Sequence, residues 1–225
     1  PGHVSRAAAT RWIYDGALKR GYHALTYDGP GQGSVLRVQG LPFRPDWENV
    51  LGPVIDFALA NIHGVDPTRI ACAGVSFGGF LVPRALTHEK RVKAAVLSPG
   101  TLEWCQPFSM VMAMIASMNE DERPPFMNTM IRDYAWKQGV AQEDVSTELL
   151  KYDITDTANR IECDMLVLDG TSEVNPGKSQ QLFDALACSK TYHLFDEDST
   201  AQCHAQMGGY ATASEFILDW LDEHV

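Results

Sequence analysis

The residues best suited to do chemistry sit at Gly74-Val-Ser76-Phe-Gly-Gly79, directly after the apolar run Arg69-Ile-Ala-Cys-Ala73 and ahead of a helix-forming stretch. A serine hydroxyl is a weak nucleophile, so it needs a tight strand-to-helix turn that holds it proud of the backbone. Small residues two positions before and after let the chain bend without Cβ clashes. Gly74, Gly78 and Gly79 meet that need, and the same turn aims the Phe77 N–H and a helix N-terminus at any oxyanion formed on Ser76. A bare Gly-x-Ser-x-Gly also arises by chance, with the serine as an ordinary helix cap. The strand before it and the helix after it favour the nucleophile.

Such a serine requires a base within hydrogen-bonding reach and a carboxylate to hold that base in the right tautomer. Of the seven histidines, His204 is the best placed, because it follows the last apolar strand in the loop Asp196-Glu-Asp-Ser-Thr-Ala-Gln-Cys-His204 and precedes the final helix. His193 alternates within a strand and reads as a packing residue. His63, His88 and His224 fall in surface segments, His23 lies at the wrong end of a strand, and His3 stays open. For the acid, two residues follow the run Met165–Leu168: Asp169 at the strand end and Glu173 on the loop beyond Gly170. The loop position suits Glu173. Asp169 is the alternative, with a competing role in capping the turn.

The elements that must position these groups alternate. Short apolar strands are expected at Tyr22–Tyr27, Ile70–Val75, Val92–Leu97, Met165–Leu168 and Thr191–Phe195, and helical spacing at 5–20, 46–61, 78–88, 178–187 and 211–223. This is an α/β pattern, a mostly parallel sheet with flanking helices, whose ligands sit at the carboxyl ends of the strands. Residues 101–161 break the rhythm, with helical patches at 126–138 and 145–151 but no strand. They read as an inserted helical lid between core segments 1–100 and 162–225. Trp104, Phe108 and Met112, with further methionines of the insertion, are candidate substrate contacts in an adaptable apolar pocket, set against the plainer reading that they pack the lid.

Bulk composition bounds the rest. A chain of 225 residues that is 45% hydrophobic buries one good core, and a net charge of −11 disfavours nucleic acid and anionic membrane surfaces as partners. Five scattered cysteines lack metal-type spacing and read as free thiols of a reducing, cytoplasmic compartment. No metal or cofactor is expected. No apolar run reaches membrane-spanning length, and a homodimer remains compatible with the sequence. The glycines of Asp28-Gly-Pro-Gly-Gln-Gly33 suggest a phosphate cradle, but the Lys-Ser/Thr of a P-loop is absent and no helix is expected to follow, so they read as a turn after a strand. In Phe43-Arg-Pro-Asp-Trp47, Asp46 is expected to cap the next helix, Trp47 to reach the pocket rim, and Arg44 to form an ion pair.

These motifs resemble the α/β-hydrolases, and more narrowly the branch containing dihydroxypseudooxynicotine hydrolase, the fungal pigment hydrolases that shorten polyketides, and FrsA-like esterases, near the prolyl-oligopeptidase-like peptidases. The resemblance is carried by Arg20-Gly-Tyr22, Tyr27-Asp-Gly-Pro-Gly-Gln-Gly33, Phe43–Glu48, Val65–Ile70, Gly74–Gly79, Pro83-Arg-Ala85, the Glu173 loop and Cys203-His204. It implies the chain order serine, acid, histidine. It also implies a strand upstream of residue 1 that lies inside the sheet and ends in a Gly-Gly loop, of which Pro1-Gly2-His3-Val4 resembles the tail. On that resemblance Gly2 and His3 supply the second oxyanion N–H, and the chain is expected to be a piece of a longer enzyme lacking N-terminal strands.

The expected activity is a serine hydrolase acting on a small carbonyl compound, an ester or a β-dicarbonyl cleaved at a carbon–carbon bond. The alternatives are a non-catalytic binding remnant of such an enzyme and, more distantly, a peptidase.

Overall fold

The computed structural model describes residue 3, residues 10–104 and residues 106–225. The chain forms two compact units: Pro1–Tyr27 with Asp46–Leu102 and Ile154–Val225, and Asp28–Pro45 with Glu103–Asp153. The first holds the sheet. Among the described residues its strands are β1 (Ile70–Val75), β2 (Val92–Ser98), β3 (Asp164–Gly170) and β4 (Lys190–Phe195), ordered β1-β2-β3-β4 and parallel throughout.

Strands β2 and β3 are buried along almost their whole length, because helices cover both faces. On one face Ala94, Val96, Leu166 and Leu168 join Ile13 of α1 (Arg11–Lys19) and Ile217, Leu218 and Leu221 of α9 (Tyr210–His224) in one apolar cluster. On the other, Leu97 and Val167 meet Leu182 of α8 (Lys178–Ala185) around Gly100. Each of the Val, Leu and Ile side chains taken out of water contributes about 1.5–3 kcal/mol, which fixes the register by face. The same unit carries α3 (Glu48–Asn61) and α4 (Gly78–Leu86).

Three local expectations are corrected. Tyr22–Tyr27 forms no strand. The apolar pattern is present, yet a strand exists only through its ladder, and none of the described residues pairs with this segment. Instead Tyr22, Leu25 and Tyr27 face Ile70, Cys72 and Val82 across a groove of about 640 Å³ along the edge of β1. A helix does follow the glycine-rich turn: α2 (Gly33–Gln39), whose entry is set by the Gly29 N–H donating to Gln32 Oε1 at 3.0 Å. The Lys-Ser/Thr of a phosphate loop is still absent there. Asp46 is not the N-cap residue of α3. Trp47 is the N-cap, and the Asp46 carboxylate accepts from the Asn49 amide at 2.8 Å.

The second unit is helical, with α2, α5 (Gln106–Ser117), α6 (Pro125–Gln138) and α7 (Val145–Leu149). Met112, Ile115, Ile131, Ala135, Val145 and Leu149 form its core. The Phe43 N–H donates to the Lys137 carbonyl at 2.8 Å, tying the stretch after α2 to the end of α6.

Candidate active site

Each candidate side chain leaves the sheet at the carboxyl end of a strand. Ser76 follows β1 directly and takes φ 57°, a left-handed conformation that costs a non-glycine residue roughly 1–3 kcal/mol. Its N–H donates to the Ser98 carbonyl at 2.7 Å, and its own carbonyl accepts the Gly79 N–H at 2.7 Å, so the turn is clamped from both sides. Gly74 is obligatory here, since a Cβ would lie 2.2 Å from the Gly78 carbonyl oxygen. Behind the turn, α4 is pinned to α3 by the paired bonds from Arg84 Nε and Nη2 to the two Glu48 oxygens, at 3.0 and 2.8 Å.

His204 Nε2 lies 2.9 Å from Ser76 Oγ, and His204 Nδ1 lies 2.7 Å from Glu173 Oε1. A carboxylate has no proton to give, so Nδ1–H donates to Glu173. Nε2 is thereby left as the acceptor of the serine proton. The Glu173 side chain is only 2% exposed against 27% for His204, which puts the carboxylate in a low-dielectric setting beneath a base that still meets solvent. Glu173 Oε1 also accepts the Val174 N–H at 2.8 Å.

The loops that carry these two groups are joined. The Ser172 N–H donates to the Gln202 carbonyl at 3.1 Å, and Ser172 bridges Cys203 in parallel fashion. Beyond His204, Ala205 (φ 56°) and Gln206 (φ 54°) are both left-handed. Gln206 is completely buried, and its Oε1 accepts the hydroxyl of Ser98, the last residue of β2. Sequence reasoning passed over both residues. The only available signal was a long polar side chain two positions after the histidine.

Asp169, the alternative acid, points elsewhere. Its Oδ1 accepts the Gly170 N–H at 2.8 Å and its Oδ2 accepts the Tyr192 hydroxyl at 2.9 Å. Burial raises its carboxyl above the usual range, with those two bonds pulling it back. His193 stacks on Phe216 with ring centres 3.9 Å apart and meets Phe195 edge-on at 4.4 Å, and burial lowers its pKa. It is a packing residue. Phe77 N-caps α4 immediately after Ser76. The buried ring of His3 lies edge-on to the Phe77 ring at 6.0 Å, and Gly2 falls outside the described residues.

The residues offered as substrate contacts have packing partners of their own. Met112 is fully buried in the second unit's core, and Trp104 and Phe108 pack on that core with their rings 6.0 and 5.0 Å from Tyr134. Trp47 is 2% exposed. Among the described residues no three His, Cys, Asp or Glu side chains converge as a metal site, and no helix is long and apolar enough to cross a membrane. Cys72, Cys163, Cys188 and Cys203 are free thiols.

The profile of the Alpha/beta hydrolase family matches residues 2–212. The chain belongs to that family. It is 30% identical over 242 aligned residues to hydrolase LUC6 of a Fusarium species, covering 92% of this chain and 56% of the relative. A shorter match, 44% over 91 residues, covers 39% of the chain and 22% of the 20-hydroxy-prefusarin hydrolase FUS2 of Gibberella moniliformis. The chain thus spans a little over half the length of the first of these relatives. In fold it superposes on the crystal structure of 2,6-dihydroxy-pseudo-oxynicotine hydrolase with a TM-score of 0.79 at 18% identity, over 99% of this chain and 58% of that one. At that identity the likeness is one of fold.

Proposed function

We propose that this chain carries the catalytic centre of a serine hydrolase that cleaves a small carbonyl compound, an ester or a carbon–carbon bond beside a carbonyl, through an acyl-enzyme. The observation that carries the reading is the unbroken line of hydrogen bonds from Ser76 Oγ through His204 to Glu173. Ser76 Oγ attacks the carbonyl carbon while Nε2 takes its proton, and the buried Glu173 carboxylate stabilises the imidazolium that results. The oxyanion falls beside the N-terminus of α4, where the Phe77 N–H follows the nucleophile, with a second donor assigned to Gly2 or His3. When the tetrahedral adduct collapses, the imidazolium protonates the departing alkoxide or enolate carbon. Water activated by Nε2 then adds to the acyl group and releases Ser76.

The names of two similar proteins, a hydrolase of 20-hydroxy-prefusarin and one of 2,6-dihydroxy-pseudo-oxynicotine, support a small molecule rather than a peptide as substrate. The reading is tested with a fluorophosphonate, which needs an activated serine. The full-length protein should be labelled stoichiometrically, and Ser76→Ala should abolish labelling. An alanine variant labelled as fast as wild type would overturn it.

A further inference from the structure

We propose that Gln206 is a positioning residue for the reaction assigned above, acting through the Ser98 hydroxyl to set the depth at which the His204 loop presents Nε2 to Ser76. The inference rests on the serine-hydrolase reading and adds to it a residue that touches neither substrate nor reacting atoms.

The histidine loop is held upstream by main-chain bonds, Ser172 N–H to the Gln202 carbonyl. Downstream, its two consecutive left-handed residues, Ala205 and Gln206, take a conformation that the chain abandons unless the surroundings over-determine it. The local main chain offers short-range closures there, Gln206 N–H to the Cys203 carbonyl at 2.8 Å, Met207 N–H to the His204 carbonyl at 3.3 Å and Gly209 N–H to the Gln206 carbonyl at 3.1 Å, and the Ala205 methyl packs in the apolar cluster. The long-range anchor is the side chain of Gln206, 0% exposed and bonded to Ser98, which is itself 1% exposed.

Ser98 is also the residue whose carbonyl accepts the Ser76 N–H, and it pairs with Val75 in the β1–β2 register. One residue at the end of β2 therefore grips the nucleophile turn with its carbonyl and the base loop with its hydroxyl. The distance between Oγ and Nε2 is set through that shared point as well as by their own bond. A buried amide is a costly way to fill such a position: Gln206 Nε2 has no hydrogen-bond partner among the described residues, a cost that methionine would avoid at similar volume. What the amide supplies in exchange is the bond to Ser98.

The test is the rate at which a fluorophosphonate labels Ser76 in the full chain, followed against pH, for Gln206→Met, Ser98→Ala, Ser98→Thr and the double variant. Loss of alignment should slow Gln206→Met and Ser98→Ala about 10²-fold, as for a displacement near 1 Å in a reacting pair. The acid limb of the profile should also move, which a purely structural defect would leave in place. Ser98→Thr, which keeps the hydroxyl, should restore the rate, and the double variant should be no slower than Gln206→Met alone. If Gln206→Met does not fold, Ser98→Ala decides, because it leaves the main-chain bond to Ser76 intact. Wild-type rates and pH profiles in a folded Gln206→Met or Ser98→Ala, whatever their melting temperatures, would overturn the inference while leaving the hydrolase reading standing. Labelling that survives Ser76→Ala would instead overturn the reading beneath it.

Discussion

At the scale of single residues, the two candidate acids differ in where each carboxylate spends its oxygens. Asp169 uses both on a turn and on Tyr192, whereas Glu173 Oε1 serves His204. Glu173→Gln should therefore lower turnover by about 10⁴, the loss seen when the orienting carboxylate of such a triad becomes an amide. Asp169→Asn, which keeps an acceptor for the Gly170 N–H, should leave turnover near wild type. Its signature is in stability. Because burial raises the Asp169 carboxyl, the folded state holds that proton to higher pH than the unfolded chain does. The associated stability is complete below the unfolded value and is lost as pH rises through the folded one. Denaturant unfolding from pH 3.5 to 7 should show wild type losing ground relative to Asp169→Asn as pH rises. A difference that is flat or of opposite slope would remove Asp169 from the account.

At the scale of elements, much of the site was legible because parallel strands broadcast themselves. Ile70–Val75, Val92–Leu97 and Met165–Leu168 are largely apolar runs ended by Ser, Ser and Asp, the pattern of parallel strands covered by helices, and β2 and β3 are buried almost throughout while β1 keeps Ala71 and Ala73 exposed. Once the strands were placed, the rule that loops at carboxyl ends converge put Ser76, His204 and the two candidate acids, Glu173 and Asp169, at one edge of the sheet. Two things were not legible. Tyr22–Tyr27 has the local pattern of a strand, but pairing is a property of a neighbour, which local pattern does not encode. The Ser98–Gln206 bond joins residues far apart in sequence through side chains that composition treats as ordinary polar surface. The contact between the acid and histidine loops leaves a sharp test. A Cβ on Gly170 would sit 2.0 Å from the Gln202 carbonyl oxygen, so Gly170→Ala must push the Glu173 and His204 loops apart. Overpacking of this kind costs roughly 1–3 kcal/mol, and turnover should fall about 10²-fold through misalignment. An alanine variant with normal turnover and an unchanged denaturation midpoint would show that the two loops adjust independently of each other.

At the scale of the whole molecule, the chain is two compact units with separate apolar clusters, so Met112, with Trp104, Phe108, Met127, Met130 and Tyr134, answers first to the packing of its own unit, while Met110, Met114 and Phe126 are exposed. The sequence suggested that Trp104, Phe108 and Met112 select substrate. Burial makes a different demand on Met112, which is 0% exposed among Ile115, Ile131, Val145 and Leu149. Truncating a side chain so enclosed leaves a cavity and costs about 2–5 kcal/mol. Because β2 and β3 draw their burial from α1, α8 and α9, the loss should be confined to the helical unit. Met112→Ala is accordingly expected to raise hydrogen exchange across α5, α6 and α7 while amides of β2 and β3 keep their protection. It should also leave the ratio of turnover between a short and a long acyl ester within about twofold, since a residue worth one to three methylenes of pocket contact would shift that ratio by 10-fold or more. Unchanged exchange together with a displaced ester preference would return Met112 to the substrate pocket and make the helical unit a selector of acyl length.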